Sequence, residues 1–220
     1  MHIERPETMA EALIALERVG AKALAGGTNV MVDIKKGREQ AEYLVSLDAL
    51  DALKKIERKV DGIHIGSLVT FTMLEEFLET VVEKDAKEVL KALKEAVSTV
   101  GGPQIRNRGT VGGNILCASP SSDSVPALLV LDASLKLISR AGGVRIVPLE
   151  GFVTGVRQTE IKDGELLLEI IVPIKKGKSC FYKAGTRNAM AISVVDEALY
   201  LYVESVKETA AKASSNGDGG

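Results

Sequence analysis

The chain has 220 residues, of which 45% are hydrophobic and 26% charged, with a formal net charge of −2. This is an ordinary soluble, globular mix, long enough for one large domain or two small ones with a real core. The charge excludes a global positive field for nucleic acid or an anionic membrane, so any anion is bound locally; 4% aromatic residues and no Trp argue against stacking of single strands.

Thr8-Met9-Ala10-Glu11 is a capping-box pattern, followed at helical spacing by Leu13, Leu16 and Val19, with Gly20 as the stop. Ala23-Leu24-Ala25 reads as a short buried strand ended by Gly26-Gly27. "TNVMVDIKKG" then reads as a helix opening on Thr28 or Asn29, and Tyr43 to Leu47 as the next strand. This is a small α/β unit. After about residue 55 the pattern changes. "KKIERKVDGIHIGSLV" gives two short strands around Asp61-Gly62, a hairpin signal.

Thr72-Met73-Leu74-Glu75 is a second capping-box pattern. "DAKEVLKALKEAVSTVGG" predicts one amphipathic helix, with Val89, Leu90, Leu93 and Val97 on its apolar face, closed by Gly101-Gly102 and Pro103. The stretch beginning "GTVGGNILC" predicts a loop and a short strand, then a polar loop, a helix around Pro126–Leu131 and a strand at Leu135–Ser139. "VRIVPLEGF", "ELLLEIIVPI", Phe181–Ala184 and "ALYLYVE" add β segments, so the second half is α+β. Beyond Val206 the apolar periodicity ends, and residues 207–220 are expected to be a disordered tail.

No apolar run approaches the roughly 20 residues of a membrane span, and "MHIERPETM" is no signal peptide. Cys117 and Cys180 stand in unlike contexts, which suits a reducing cytoplasm and gives no zinc or iron–sulfur spacing. His64 in its strand reads as a packed or surface histidine, and neither histidine supports a catalytic set with Ser or Cys.

Two stretches carry chemistry. In "AGGTN", glycines after a strand let phosphates approach the main chain, and the amides of Gly27, Thr28 and Asn29 suit an anion. The same residues also suit a plain strand-to-helix turn with Thr28 or Asn29 as N-cap. Neither a Rossmann fingerprint nor a P-loop is present. In "IRNRGTVGGN", Gly109, Gly112 and Gly113 sit beside Thr110, Asn114, Arg106 and Arg108. The arginines either offset a pyrophosphate or meet surface carboxylates. "SPSSD" follows, with Ser119, Ser122 and Asp123 suited to ribose or ribityl hydroxyls, Asp123 serving equally as a helix N-cap. Lys183, beside aromatic residues on a strand, suits either a cation facing an electron-rich ring or a purely structural role.

The stretches "LAGGTNVMVDIK", "GGPQIRNRGTVGGNILCASPSSDSVPALLVLDASLKL", "VPLEGFVTG", "ELLLEIIVP" and "FYKAGTRNAMAISVV" stand in one order along the chain. In that ordered set the chain resembles the FAD-binding (medium) subunit of the molybdenum hydroxylases, the xanthine dehydrogenase and carbon monoxide dehydrogenase type. The resemblance implies an α+β, two-lobed FAD domain of the vanillyl-alcohol-oxidase-like (PCMH) type. A small N-terminal α/β lobe (1–55) meets a larger mixed lobe (56–178), and 179–206 begin a C-terminal subdomain that is cut short here. It further implies pyrophosphate contacts from Ala25, Gly26, Gly27, Thr28, Asn29 and Val30 and from Thr110, Gly113 and Asn114. Asp123 matches a polar FAD ligand, Leu167 an apolar contact, Lys183 a lysine near the flavin ring and Val100 an apolar position at the ring.

The implied work is electron transfer in a cytoplasmic complex. Partners are a molybdopterin-binding large subunit and a [2Fe–2S] small subunit, and FAD passes electrons to NAD, a quinone or another acceptor. A non-catalytic structural remnant and a stand-alone flavin oxidoreductase are the alternatives.

Overall fold

The computed structural model describes residues 1–81, 83–185 and 192–202. The chain opens with β1 (His2–Glu4), α1 (Met9–Leu16), β2 (Ala21–Leu24), α2 (Val30–Lys35) and β3 (Tyr43–Ser46). Both halves of the capping box at α1 form: the Thr8 hydroxyl accepts from the Glu11 N–H, and the Glu11 carboxylate accepts from the Thr8 N–H. Two details depart from expectation. The helix ends at Leu16, so Val19 lies beyond it and is 94% exposed. β2 is a half-exposed edge of a parallel sheet ordered β1-β3-β2, not a buried strand. β1 has no sequence signal, being three residues of which one is apolar; it is recruited by register with β3, His2 opposite Tyr43.

A 3-10 turn at Asp51–Lys54 leads to β4 (Ile56–Lys59) and β5 (Gly62–Gly66), the expected hairpin. Six helices follow: α3 (Phe71–Thr80), α4 (Lys84–Val89), α5 (Lys91–Ser98), α6 (Pro103–Arg106), α7 (Val111–Cys117) and α8 (Ser124–Val130). The cap of α3 is Thr70, whose hydroxyl accepts from the Met73 N–H; Thr72 instead donates to Asn107. The predicted single amphipathic helix breaks at Leu90, whose φ of −88° and ψ of 3° leave the helical range. Both pieces still bury Val89, Leu90, Leu93 and Val97, so the apolar face survives the break. "VGGNILC" is α7 and not a strand, because Thr110 caps it and tertiary packing outweighs the glycines' poor helix propensity.

The rest is β6 (Ser134–Ser139), β7 (Gly143–Pro148), β8 (Val153–Gly155), β9 (Gln158–Thr159), β10 (Glu165–Val172), β11 (Lys178–Gly185) and β12 (Ser193–Leu201). An antiparallel sheet of order β4-β5-β10-β6-β7 forms the centre. Its middle strand serves two cores, because alternate residues face opposite sides. Leu167 and Ile170 enter the larger core with Phe71, Leu74, Leu93 and Leu137. Leu166, paired with Ile138, enters a smaller core with Leu13, Val45, Leu50 and Leu53 from the N-terminal segment. A bulge between Leu167 and Glu169 re-aims the strand.

The β11–β12 hairpin is fixed to the helices by polar contacts as well as packing. The Ser179 hydroxyl donates to the Val89 carbonyl at 2.6 Å and accepts from the Ala92 N–H at 2.8 Å. The Phe181 N–H donates to Glu95 at 2.9 Å. Among the described residues no helix is long and apolar enough to cross a membrane. The tail at 207–220 lies outside the described residues.

Candidate functional site

The first glycine loop joins β2 to α2. Gly27 takes a φ of +73°, open to glycine and costly for most other residues. Gly26 has a different reason to lack a side chain: a Cβ there would lie 1.7 Å from the Arg108 carbonyl oxygen. Among the described residues, the backbone amides of Gly26, Gly27, Thr28 and Asn29 donate no hydrogen bond. Asn29 stands at the cap position of α2, yet its side chain caps nothing. It donates instead to the Cys117 sulfur.

The second loop is held more tightly. The Thr110 hydroxyl accepts from the Gly113 N–H at 3.1 Å, capping α7. That leaves the hydroxyl proton free to donate. The Val111 and Gly112 amides donate to the Val69 and Ser67 carbonyls at 3.0 and 3.1 Å, so the loop is fastened to the segment after β5. Gly112 must be glycine there, since a Cβ would meet the Ser67 oxygen at 2.7 Å. Gly113 is exposed, and a Cβ on it would lie 4.0 Å from that of Ala25. The two loops, some eighty residues apart in sequence, therefore meet where Gly26 packs on the Arg108 carbonyl, and the first loop also reaches the end of α7 through Asn29 and Cys117.

A polar group extends from the second loop. The Asn114 carbonyl oxygen accepts from the hydroxyls of Ser122 and Ser124. Between those serines, Asp123 accepts from the Lys183 ammonium at 2.7 Å, and Lys183 also donates to the Thr99 carbonyl at 3.1 Å. Asp123 is buried at 5% exposure, and its Oδ1 has no partner among the described residues. Burial pushes its carboxyl up to about 6; Lys183 works against that shift, and the nearby Asp196 adds to it. Asp123 stands at the cap position of α8, but its side chain makes no cap bond.

The remaining expected residues are placed as follows. Val30 begins α2. Val100 is buried beside Thr99, so it borders the Lys183 group. Leu167 is 1% exposed in the larger core. Of the two arginines, Arg106 turns to the Glu75 carboxylate at 3.5 Å and to the Val100 and Gly101 carbonyls. Arg108 contributes its backbone carbonyl to the loop contact and exposes its side chain. His64 is packed, between Asp61, Glu169 and Lys59 on the central sheet. Cys117 is half-buried and its thiol pKa is raised, chiefly by burial. Among the described residues, no cluster of three or more His, Cys, Asp or Glu side chains can hold a metal.

Three residues escaped the sequence. Asp196, on β12 opposite Lys183, joins Asp123 only through the hairpin register. Asp33 of α2 is buried and pairs with Arg157 at 2.8 Å. A lone acid in the apolar run "VMVDIK" is itself a signal, because a buried carboxylate needs a partner. Nothing marks Arg157 as that partner, 124 residues away.

Residues 1–175 match the family described as FAD binding domain in molybdopterin dehydrogenase. The chain is 34% identical over 209 residues to the nicotinate dehydrogenase FAD-subunit of Eubacterium barkeri, covering 90% of this chain and 68% of that protein. It is 36% identical over 196 residues to the xanthine dehydrogenase FAD-binding subunit of Escherichia coli O157:H7, covering 87% of this chain and 65% of that one. Among solved structures, a chain of the reconstituted CO dehydrogenase from Oligotropha carboxidovorans superposes with a TM-score of 0.84 at 26% identity, over 93% of this chain and 70% of that one. The chain thus spans about two thirds of the length of these relatives.

Proposed function

The chain belongs to the family of FAD binding domains in molybdopterin dehydrogenases, and on that footing we propose that it is the flavin-carrying, electron-transferring part of a heteromeric molybdenum hydroxylase. Its cofactor is FAD, and it is a flavoprotein oxidoreductase component. The observation that carries the reading is the meeting of the two glycine loops. Gly26 lets the Arg108 backbone close against the first loop, Gly113 leaves exposed backbone beside it, and among the described residues the Gly26–Asn29 amides and the buried Asp123 Oδ1 have no partner. An extended dinucleotide with two phosphates and a polyhydroxyl chain suits that set of groups.

In this reading the fold is a two-lobed, PCMH-type FAD domain. Ala25, Gly26, Gly27, Thr28, Asn29 and Val30 hold the pyrophosphate from one side. Thr110, Gly113 and Asn114 hold it from the other. Asp123 accepts from a cofactor hydroxyl, while Lys183, Val100 and Leu167 serve the flavin end. When bound, FAD supplies reversible electron storage. The chain's own residues bind and orient it, and the Lys183 ammonium is a fixed positive charge that favours added negative charge nearby. Electrons reach this chain from [2Fe–2S] clusters on a partner subunit, below a molybdopterin-binding subunit, and leave for NAD, a quinone or another acceptor.

The test is an absorption spectrum of the purified protein, with mass identification of any released cofactor, followed by reconstitution with excess FAD. A bound-flavin spectrum with quenched flavin fluorescence supports the proposal. Free-flavin behaviour after reconstitution rejects it.

A further inference from the structure

Two non-glycine residues in left-handed backbone meet beside the loops. Ala118 ends α7 with a φ of 45°, and Arg157, in the β8–β9 turn, has a φ of 59°. Such conformations persist in L-residues when the surroundings enforce them. Here the enforcement is visible. The Arg157 N–H donates to the Ala118 carbonyl at 2.9 Å, so the turn is tied to the residue that caps the C-terminus of the helix that the second glycine loop begins. The Arg157 guanidinium donates to Asp33 at 2.8 and 3.4 Å through both terminal nitrogens, so it also grips the helix that the first loop begins. Asp33 is 4% exposed. Its carboxyl is held below the usual range, chiefly by the Arg157 hydrogen bond. The Asp33 N–H in turn donates to the Asn29 carbonyl at 2.9 Å, one helical turn from the loop. One residue therefore holds the first turn of α2, directly after the first glycine loop, and the C-terminal cap of α7, the helix that the second loop begins.

We propose that Arg157 is a positioning residue that sets the spacing of the two glycine loops, through Ala118 on one side and Asp33 on the other. The proposal rests on the flavin-binding reading above. It acts by pre-organisation: loops already spaced for a ligand lose less freedom when it binds. Arg157 itself is not placed among the ligand-holding residues.

The test uses the full chain freed of flavin and titrated with FAD, reading fluorescence quenching, with thermal unfolding of the same samples before FAD is added. Arg157→Gly is the main variant, because it keeps the left-handed turn strain-free and removes the guanidinium. It is expected to weaken FAD binding by roughly tenfold, within the range for residues that act as a unit, and also to lower the unfolding midpoint without FAD, since the buried Asp33 carboxylate loses its main partner. Asp33→Asn should weaken binding similarly, and the double variant no further. Arg157→Lys should restore part of the affinity. Arg38→Gln should change nothing, since Arg38 reaches Asp33 only at 3.8 Å and among the described residues bridges no second element. Wild-type affinity in Arg157→Gly overturns the proposal, as does an additive double variant, which would mean separate action. A lower unfolding midpoint with unchanged affinity reduces Arg157 to a structural tie and also overturns it. Failure of the wild type to bind FAD instead rejects the underlying reading.

Discussion

Gly26→Ala is the sharpest perturbation of the site. A Cβ at Gly26 would stand 1.7 Å from the Arg108 oxygen, 2.6 Å from its carbonyl carbon and 3.2 Å from the Gly109 nitrogen. Backbone on both sides must separate by about 1.3 Å merely to reach 3.0 Å, the practical floor for such a contact. Neither wall is a side chain that can swing away. If the 108–109 peptide yields, it disturbs the bonds from Gly109 N–H to Ile105 at 2.6 Å and from Phe71 N–H to Gly109 at 3.1 Å, beneath a Phe71 that is 2% exposed. Overpacking costs about 1–3 kcal/mol and a disturbed hydrogen bond about 1 kcal/mol more, so about 3 kcal/mol is expected. For a chain of this length that lowers the melting midpoint by roughly 6–12 °C. If residues 25–29 yield instead, the fold is spared and the cost appears as weaker FAD binding. Melting followed by circular dichroism, with FAD titration of the same preparation, reads both. A variant within about 0.5 kcal/mol of wild type in stability and within about twofold in FAD affinity would refute the loop-to-loop contact.

Two further outcomes follow from the same geometry. Thr110→Ala removes the cap of α7 and is expected to cost about 1 kcal/mol, a fall of roughly 2–4 °C in melting midpoint, with Thr110→Ser close to wild type; equal midpoints for Ala and Ser would rule out the cap. Burial raises the Asp123 carboxyl to about 6 from 3.8, so the folded state holds this proton more tightly than the unfolded chain. Its stabilising contribution is complete below about pH 4 and lost as pH rises through about 6. Urea midpoints of flavin-free protein should therefore fall more steeply from pH 4 to pH 7 in wild type than in Asp123→Asn, and parallel slopes would refute the assignment.

The sequence announces what is local. The Thr8–Glu11 box, the Asp61-Gly62 hairpin and the apolar face of Val89, Leu93 and Val97 each rest on residues within a few positions of one another, and each forms. The glycine loops were legible as a pair in order, though not as touching. What misled was propensity set against tertiary demand: "VGGNILC" is helical because Thr110 caps it and Ser67 leaves room only for glycine at position 112. The cap of α3 falls at Thr70 and not Thr72, since both threonines precede plausible first turns and the contact with the 109–110 backbone decides. Asp196 and Arg157 were invisible, because strand register and a turn 124 residues from Asp33 give them their partners.

The smaller core has a consequence for how this chain is made. Its N-terminal residues Leu13, Val45, Leu50 and Leu53 are closed over by Leu166 of the central strand, with Ile138 and Leu168 packed alongside. About a hundred residues must be synthesised after Leu68 before Leu166 exists, which at ribosomal speed takes roughly 5–20 s. For that interval the nascent N-terminal segment has an apolar face and no lid. Its parallel β1-β3-β2 sheet therefore waits for β10, so this segment is completed only after a strand made about a hundred residues later.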